Sequence, residues 1–187
     1  MTPEELRNID NTWTLFLDRD GVINKRIFGG YVRNIDEFEI LPGVLDSIKF
    51  FSENFGRIIV VTNQQGVGKG LMTEEDLDLV HDHLELQVAN HGGRVDAILY
   101  CTDLAGTEGN CRKPSPEMAT KAKQIFPDII FEKSIMIGDS LSDIKFGANA
   151  GMKTVFSTSS EKNEEAISLA DITVDDLEGF CKLMEGV

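Results

Sequence analysis

Two aspartates one residue apart follow the first strongly apolar run of the chain, Thr14-Leu15-Phe16-Leu17, and they could do chemistry together. Because side chains alternate along an extended strand, Asp18 and Asp20 lean towards the same side. Two carboxylates this close repel each other unless a cation lies between them, and carboxylate oxygens suit a hard ion such as Mg²⁺. The alternative is an acidic turn after a strand, since Asp and Gly both favour turns.

A second polar segment follows the predicted strand 57–62. It begins at Thr62 and continues through Asn63, Gln64 and Gln65. Hydroxyl, amide and backbone N–H groups can all bind phosphate oxygens. An ordinary polar surface loop explains this segment equally well when it is taken alone.

Two further segments add charged groups. Arg112 and Lys113 precede a predicted helix that begins near Ser115. Cations fit poorly at a helix N-terminus unless an anion binds there, so this pair favours an anion site.

Asp139 follows the predicted strand 134–138, and Asp143 lies one helical turn later. Both therefore face the same edge of the sheet if a helix begins between them. Each aspartate alone could also be a helix cap.

The composition limits the possible functions. With 187 residues and no long linker, residues 1–187 are expected to form one domain. The net charge of -14 argues against a nucleic-acid partner. No apolar run is long enough to span a membrane, and no signal peptide is recognisable, so we expect a cytoplasmic protein. Three cysteines without scaffold spacing predict reduced thiols, and nothing indicates an obligate oligomer, so a monomer is expected.

Short apolar segments alternate with helical patterns. This alternation predicts a three-layer, Rossmann-like, doubly wound parallel α/β sheet. Residues 1–12 are expected to be a polar arm, and residues 24–38 a hairpin-like flap over the sheet edge. The predicted strands are 13–18, 57–62, 95–100, 134–138, 153–157 and a weaker 171–174. The predicted helices are 43–54, 73–91, 115–126, 141–150, 161–169 and 175–185.

Four polar motifs therefore occur in a fixed order at predicted strand ends: Asp-x-Asp, Thr, Lys and Asp-x-x-x-Asp. Over residues 13–157 the chain resembles the haloacid dehalogenase superfamily of phosphohydrolases. The resemblance implies that Asp18 is the nucleophile forming an aspartyl-phosphate, and that Asp20 is the general acid and base. It implies Mg²⁺ held by Asp18, the backbone carbonyl of Asp20, and Asp139.

The resemblance also implies supporting roles. Thr62 and Lys113 would hold the transferring phosphoryl oxygens, and Asp143 would orient Lys113 or the metal-bound waters. The gaps between motifs are filled by the predicted helices and strands, so a capless haloacid dehalogenase fold with a short flap is expected.

The loops carry a closer resemblance. Phe16–Asn24, Gly30-Tyr31-Val32, Pro42-Gly43-Val44, Val61–Gln64 and Cys111–Pro114 are similar to the D-glycero-D-manno-heptose 1,7-bisphosphate 7-phosphatases. The resemblance implies removal of the 7-phosphate, for a lipopolysaccharide or other glycan precursor. It also implies that Arg112 and Lys113 provide two cationic subsites. The other implied substrate contacts are Gly30, Tyr31, Asn63, Gln64 and Gln65.

The chain departs from that family in two places. Many members hold a structural zinc through four Cys and His ligands, but here Asp103 and Gly109 replace two of them. Two remaining cysteines do not make a structural zinc site, so no zinc is expected and packing should hold the loop. Ser140 stands where some relatives carry a lysine that reaches the substrate. His81, His83 and His91 fall on a helical pattern and are expected to face solvent.

Three alternatives stay open. Histidinol-phosphate phosphatases share nearly the same motifs, and Asp103 and Glu108 could contact a cationic substrate of that kind. A nucleic-acid 3′-phosphatase is disfavoured by the net charge. A non-catalytic phosphosugar-binding module predicts the loss of a catalytic group, whereas every one of the motif residues is present.

Overall fold

The computed structural model describes residues 1–160 and 162–186. Its centre is a sheet of parallel strands in the order β3-β2-β1-β4-β5-β6. The first strand of the chain, β1, lies inside the sheet. The next two strands, β2 and β3, are added on one side of it, and the chain then crosses over to add β4, β5 and β6 on the other side. The strands are β1 (Thr14–Leu17), β2 (Arg57–Asn63), β3 (Ala97–Cys101), β4 (Ser134–Gly138), β5 (Lys153–Ser157) and β6 (Ile172–Val174).

Helices cover both faces of the sheet. They are α1 (Pro3–Arg7), α2 (Val44–Asn54), α3 (Gln65–Gly68), α4 (Glu74–Asn90), α5 (Glu117–Ile125), α6 (Leu141–Ala150), α7 (Glu164–Leu169) and α8 (Leu177–Glu185). Helices α1, α2, α4 and α8 contribute to one apolar layer, and α5 and α6 to the other. This arrangement confirms the predicted three-layer α/β fold.

Alternation along the strands explains why both faces need a helical layer. In β1, Leu15 and Leu17 point into the layer of α2 and α4, whereas Phe16 points into the layer of α5. In β4, Ile135 and Met136 divide in the same way. All five side chains are fully buried, which is the pattern of a parallel sheet covered on both sides.

The reversal of strand order places β1 beside β4. Leu17 pairs with Ile137, and the Asp18 N–H donates a 2.9 Å hydrogen bond to the Ile137 carbonyl. In open α/β sheets, ligands bind at this kind of switch point, outside the carboxyl ends of the strands. Asp18 and Asp139, which follow the two strands, are therefore neighbours across it.

The predicted elements agree closely with the observed ones. Strands β4 and β5 and helix α6 have the predicted bounds, and Thr73 and Asp76 form the capping box that opens α4. The predicted helix 161–169 is observed from Glu164, and Glu161 lies outside the described residues. The N-terminal arm contains a helix, α1, whose Leu6 is buried in the core.

The flap differs from the expected hairpin. Its base is paired, because Asn24 forms an antiparallel bridge with Ile40 and the Lys25 N–H donates to the Glu39 carbonyl at 2.8 Å. Between these points the chain forms turns and one 3₁₀ turn, Ile35–Glu37, instead of two strands. Gly29 and Gly30 interrupt any strand pattern here, since glycine weakens a strand interior.

The expectation of reduced thiols is wrong for two of the three cysteines. Cys101 and Cys111 form a disulfide, with their Cα atoms 5.6 Å apart, and Cys181 is free and buried. The bridge closes the loop between β3 and the segment that carries Lys113. A covalent link therefore replaces the packing that the sequence predicted for this loop.

Within residues 1–160 and 162–186, no helix combines the length and apolarity that crossing a bilayer requires.

The disulfide predicts the thiol content of the purified protein. The denatured chain should show one reactive thiol, from Cys181, before reduction and three reactive thiols after reduction. The measurement is thiol alkylation in denaturant followed by mass spectrometry. Cys181→Ser is the control and should show none before reduction. Three alkylated thiols without a reductant would contradict the bridge.

Candidate active site

Three buried aspartates converge at the switch point. Asp18 follows β1, Asp139 follows β4, and Asp143 lies in the first turn of α6. Each is nearly inaccessible to solvent, and a carboxylate oxygen from each lies within 4.8 Å of the others. Asp143 also accepts hydrogen bonds from the Ser140 backbone and side chain as part of a capping box, which fixes its orientation.

Lys113 is the cation inside this cluster. Its Nζ lies 2.6 Å from Asp18 Oδ1 and 2.6 Å from Asp143 Oδ1, and it donates to the Val61 carbonyl at 2.8 Å. Asn63 Oδ1 accepts a 3.0 Å hydrogen bond from the Lys113 backbone N–H. The end of β2 therefore holds the backbone of Lys113, and two carboxylates hold its ammonium group.

The electrostatics of the cluster are those of crowded like charges. Burial raises the pKa of Asp18, and the negative charges of Asp143 and Asp139 raise it further, while Lys113 opposes the shift. Burial alone would lower the pKa of Lys113, but the charges of Asp143 and Asp18 outweigh it and raise that pKa. The negative charge of the three carboxylates therefore exceeds the positive charge of the Lys113 ammonium group.

Asp20 has a different environment from Asp18. Burial acts to raise its pKa, yet the charge of Arg19 and hydrogen bonds from Asn24, Arg19 and Gln64 outweigh burial and lower it. The Arg19 guanidinium lies 3.0 Å from Asp20 Oδ2, and Asn24 Nδ2 donates to Oδ1 at 3.0 Å. Asp20 is thus held as a carboxylate that faces the cavity.

Arg19 is itself braced by a buried histidine. Arg19, which lies between Asp18 and Asp20 in the sequence, has a fully buried side chain. Its Nη1 lies 3.1 Å from Nε2 of His81 on α4. The expectation that His81 faces solvent is wrong, because only 7% of it is exposed. Burial lowers its pKa to about 3, and the Arg19 charge adds to this, so the ring is neutral and accepts the arginine hydrogen bond. His83 is partly buried and His91 is exposed.

Gln64 does not reach the cavity that the sequence assigned to it. Its side chain is buried beneath the cavity floor, where Nε2 donates to Asp20 Oδ2 and to Thr62 Oγ1, each at 2.8 Å. Thr62 does line the cavity. Gln64 therefore orients two site residues from below, a role that the polar sequence Asn63-Gln64-Gln65 alone does not distinguish from ligand contact.

Gly21 permits the close approach of the Asp-x-Asp loop to β4. Its φ is +99°, and a Cβ at this position would overlap the Asp139 carboxylate. Both the positive φ and the contact require glycine.

A cavity of about 360 Å³ opens above these groups. Its floor includes Asp18, Asp20, Thr62 and Lys113, so the structure brings the four predicted catalytic residues together. Asp139 lies just beneath, with a fully buried side chain. Of the predicted substrate contacts, those that line the cavity are Gly30, Tyr31, Asn63, Gln65, Arg112 and Lys113.

The cavity walls carry positive charge although the chain is strongly acidic. Arg26, Lys69, Arg112 and Lys113 all line it. Arg26, on the flap, donates to Asp139 at 3.0 Å, an ion pair that the sequence did not single out. Arg112 Nη1 is buried, and no group among residues 1–160 and 162–186 accepts its hydrogen bond. An anion entering the cavity would meet an unsatisfied guanidinium donor there.

The carboxylate cluster also fits a divalent cation. Asp18 and Asp139 present hard oxygen donors at one sheet edge, and the pKa of both groups is raised, first by burial and then by the negative charge of neighbouring carboxylates. Two cationic side chains, Lys113 and Arg26, already contact the cluster. Oxygen donors from a few carboxylates, with positions left for waters and phosphate, are the ligand set that Mg²⁺ prefers.

Comparisons with known proteins agree with this geometry. A family model described as HAD-hydrolase-like matches residues 110–179. A D-glycero-alpha-D-manno-heptose-1,7-bisphosphate 7-phosphatase from Mycobacterium tuberculosis is 44% identical over 137 residues, which cover 73% of this chain and 72% of that protein. The chain belongs to this family of haloacid dehalogenase-like hydrolases. The family resemblance in the loop motifs is thereby confirmed.

Two other members of the family extend the comparison. A D-glycero-beta-D-manno-heptose-1,7-bisphosphate 7-phosphatase from Escherichia coli K12 is 33% identical over 172 residues, or 87% of this chain and 88% of that protein. The crystal structure of D,D-heptose 1,7-bisphosphate phosphatase from B. bronchiseptica, complexed with magnesium and phosphate, superposes with a TM-score of 0.83. It is 27% identical, and the match covers 94% of this chain and 99% of that one.

The loop where many family members carry zinc has a different chemistry here. Cys101, Asp103 and Cys111 each place one possible ligand atom within 4.8 Å of the others. The two sulfurs are bonded to each other, however, and a disulfide does not supply the thiolates that zinc binds. The absence of zinc stays a prediction of the sequence.

The buried neutral His81 predicts a specific pH dependence of stability. Its pKa is about 3 when folded and 6.5 ordinarily, so between these pH values only the unfolded chain binds the proton. Stability is therefore lost as the pH falls below 6.5, by up to about 1.4 kcal/mol per pH unit. His81→Gln keeps an acceptor for Arg19 but lacks this titration.

Urea unfolding of wild type and His81→Gln at pH 6.5 and pH 5.0 tests this. The difference in unfolding free energy between the two proteins should shift by roughly 1.5 kcal/mol in favour of the variant at the lower pH. His91→Gln removes an exposed histidine and serves as the control. Parallel pH profiles for wild type and His81→Gln would contradict the buried neutral state.

Proposed function

We propose that the protein is a Mg²⁺-dependent phosphatase that removes the 7-phosphate of D-glycero-D-manno-heptose 1,7-bisphosphate through an aspartyl-phosphate. The observation that carries the proposal is Asp18 Oδ1 at the cavity floor, 2.6 Å from Lys113 Nζ and beside Asp139. This arrangement offers a carboxylate nucleophile together with groups that balance the charge of an incoming phosphate. The named activity of the relatives supports the substrate.

Each of several side chains has its own role in the transfer of the phosphoryl group to the protein. Asp18 attacks phosphorus, and Thr62 and Lys113 bind the transferring phosphoryl oxygens. Mg²⁺ would be held by Asp18, the backbone carbonyl of Asp20, and Asp139, and when bound it would neutralise charge that otherwise keeps carboxylate and phosphate apart. Asp143 keeps Lys113 in place, since it forms the second of the two ion pairs of that lysine.

Asp20 handles the protons of both steps. It protonates the leaving sugar oxygen and then removes a proton from the water that hydrolyses the aspartyl-phosphate. Arg19, Asn24 and Gln64 favour its ionised form in the free protein. A phosphate dianion in the cavity opposes that effect, because a nearby negative charge raises the pKa of a carboxyl group. Proton uptake by Asp20 would thus accompany substrate binding.

Arg112 is the ligand that we assign to the second, non-reacting phosphate. It lines the same cavity as Lys113 and has a buried guanidinium nitrogen without a partner among the described residues. Lys113 already forms ion pairs with the carboxylates of Asp18 and Asp143, where the reacting phosphate would bind. A bisphosphate needs a second cation at a distance from the first, and a planar guanidinium binds phosphate through two parallel hydrogen bonds.

The relatives also favour one anomer. The M. tuberculosis protein, named for the alpha anomer, is 44% identical, whereas the E. coli protein, named for the beta anomer, is 33% identical. We therefore propose the alpha 1,7-bisphosphate as the preferred substrate. Histidinol phosphate stays the second candidate because its phosphatases share nearly the same motifs, although Asp103 does not line the cavity and accepts a hydrogen bond from the Cys111 backbone N–H.

Phosphate release from a substrate panel tests the proposed function. With Mg²⁺, kcat/KM for the heptose 1,7-bisphosphate should exceed that for histidinol phosphate by a hundredfold or more, which is about 2.7 kcal/mol of transition-state binding. The alpha and beta anomers are assayed separately, and removal of Mg²⁺ by EDTA should abolish turnover. Equal or greater activity on histidinol phosphate would move the protein to that activity, and metal-independent turnover would contradict the mechanism.

The nucleophile is tested by Asp18→Asn. Turnover should fall by at least about 10⁴-fold, because an amide cannot form the covalent intermediate. The melting temperature of the metal-free protein should not fall, since the substitution relieves repulsion from Asp139 and Asp143. Asp36→Asn, an exposed acid in the flap, is the control for loss of one charge. Substantial turnover by Asp18→Asn would contradict the assignment.

A further inference from the structure

The cavity is also lined by a lysine that the sequence motifs do not assign. Lys69 lies at the end of α3, the short turn that follows β2. It lines the cavity with Arg112 and Tyr31, and it forms no ion pair with any carboxylate of residues 1–160 or 162–186. By contrast, Lys113 and Arg26 are each paired with an aspartate at the reacting end.

Lys69 is attached to the flap through Tyr31. Its Nζ donates to the Tyr31 hydroxyl oxygen at 3.0 Å and lies 5.4 Å from the centre of the ring. The ring packs on Gly66 of α3, where a Cβ would lie 2.9 Å from Tyr31 Cγ. Because Gly66 has no side chain, Tyr31 of the flap can pack against the turn that carries Lys69.

Gln65 fixes the direction of the hydrogen bonds to Tyr31. Its Oε1 accepts from the Ala105 backbone N–H at 2.6 Å, so its Nε2 faces the tyrosine and donates at 2.9 Å. The Tyr31 oxygen thus accepts two hydrogen bonds, from Gln65 and Lys69. A hydroxyl oxygen has two lone pairs, so its own proton remains to be donated, and the part of the chain that the structure describes provides no acceptor for it.

Positive charge around Tyr31 also favours an anion as the acceptor of its hydroxyl proton. Burial acts to raise the pKa of Tyr31, but the hydrogen bonds from Gln65 and Lys69 and the charges of Lys69 and Arg112 outweigh it and lower the pKa. Arg112 and Lys69 therefore act on the same hydroxyl group, from the loop before α5 and from α3 respectively. An O–H donor between two cations is suited to bind an anion.

We propose that Lys69 is a specificity-determining residue that binds the non-reacting phosphate together with Arg112, and that Tyr31 donates its hydroxyl proton to the same phosphate. This inference rests on the proposed function, because it concerns the second phosphate of that substrate. The three groups come from the flap, the end of α3 and the segment between Cys111 and α5. A substrate without the second phosphate leaves them without an anion to bind.

The test compares two substrates that differ only in that phosphate: heptose 1,7-bisphosphate and heptose 7-phosphate. Lys69→Met should raise KM for the bisphosphate about tenfold to a hundredfold, which is the range for loss of one hydrogen bond to a charged group. The kcat/KM for the 7-phosphate should stay within about twofold of wild type. Lys69→Arg should restore most of the bisphosphate affinity, which a purely structural role of the lysine would not predict.

Two further variants complete the design. Tyr31→Phe keeps the ring on Gly66 but removes the donated proton, and it should weaken binding of the bisphosphate more than binding of the 7-phosphate. Lys121→Met removes an exposed lysine of α5 that pairs with Glu117, and it controls for the change in net charge. Arg112→Ala shows the size of the effect at the residue already assigned to this phosphate.

The outcomes separate this inference from the proposed function. If wild type does not discriminate between the two heptose phosphates, there is no second-phosphate subsite, and both proposals are overturned. If wild type discriminates and Arg112→Ala abolishes the discrimination while Lys69→Met keeps it, the proposed function stands and Lys69 has no part in it. If Lys69→Met impairs both substrates equally, the lysine acts on the fold of the flap, and the inference is wrong.

Discussion

The ammonium group of Lys113 between Asp18 and Asp143 is the interaction on which the rest of the site depends. Three carboxylates with oxygens within 4.8 Å of one another cannot share a buried space without a positive charge among them. Lys113 supplies that charge from a loop, and Asn63 at the end of β2 holds its backbone. The order of the strands brings β1 beside β4 and so creates the need for the lysine. The lysine in turn leaves Asp18 facing the cavity.

This constraint separates the site into two parts with opposite electrostatics. At the reacting end, the three carboxylates of Asp18, Asp139 and Asp143 outnumber the two cations that contact them, Lys113 and Arg26, and this excess of negative charge favours a divalent cation. Arg112 and Lys69, which also line the cavity, have no carboxylate partner among the described residues, which favours a second anion beside them. A chain with a net charge of -14 thus places, in the lining of this cavity, two cations that have no carboxylate partner among residues 1–160 and 162–186.

Much of the fold and of the reacting end could be predicted from the sequence. Strands such as β4 are continuous apolar runs ending in Asp139, and their signal is local. What the sequence did not reveal depends on long-range contacts. His81 has ordinary helical spacing, and its burial follows from contacts with residues distant in sequence, a hydrogen bond to Arg19 and packing against the Tyr100 ring. The same holds for Gln64, which turns beneath the cavity, and for Cys101 and Cys111, whose pairing depends on how the loop folds back.

Trapping the covalent intermediate tests whether Asp18 is the nucleophile. Protein mixed with the heptose bisphosphate and Mg²⁺, quenched within one turnover and reduced with borohydride, converts an aspartyl-phosphate to homoserine, which peptide mass spectrometry locates. We expect this change at Asp18 alone, and none when substrate is omitted. Full phosphate release without any modified aspartate, or modification at Asp20 or Asp139 instead, would contradict this role of Asp18.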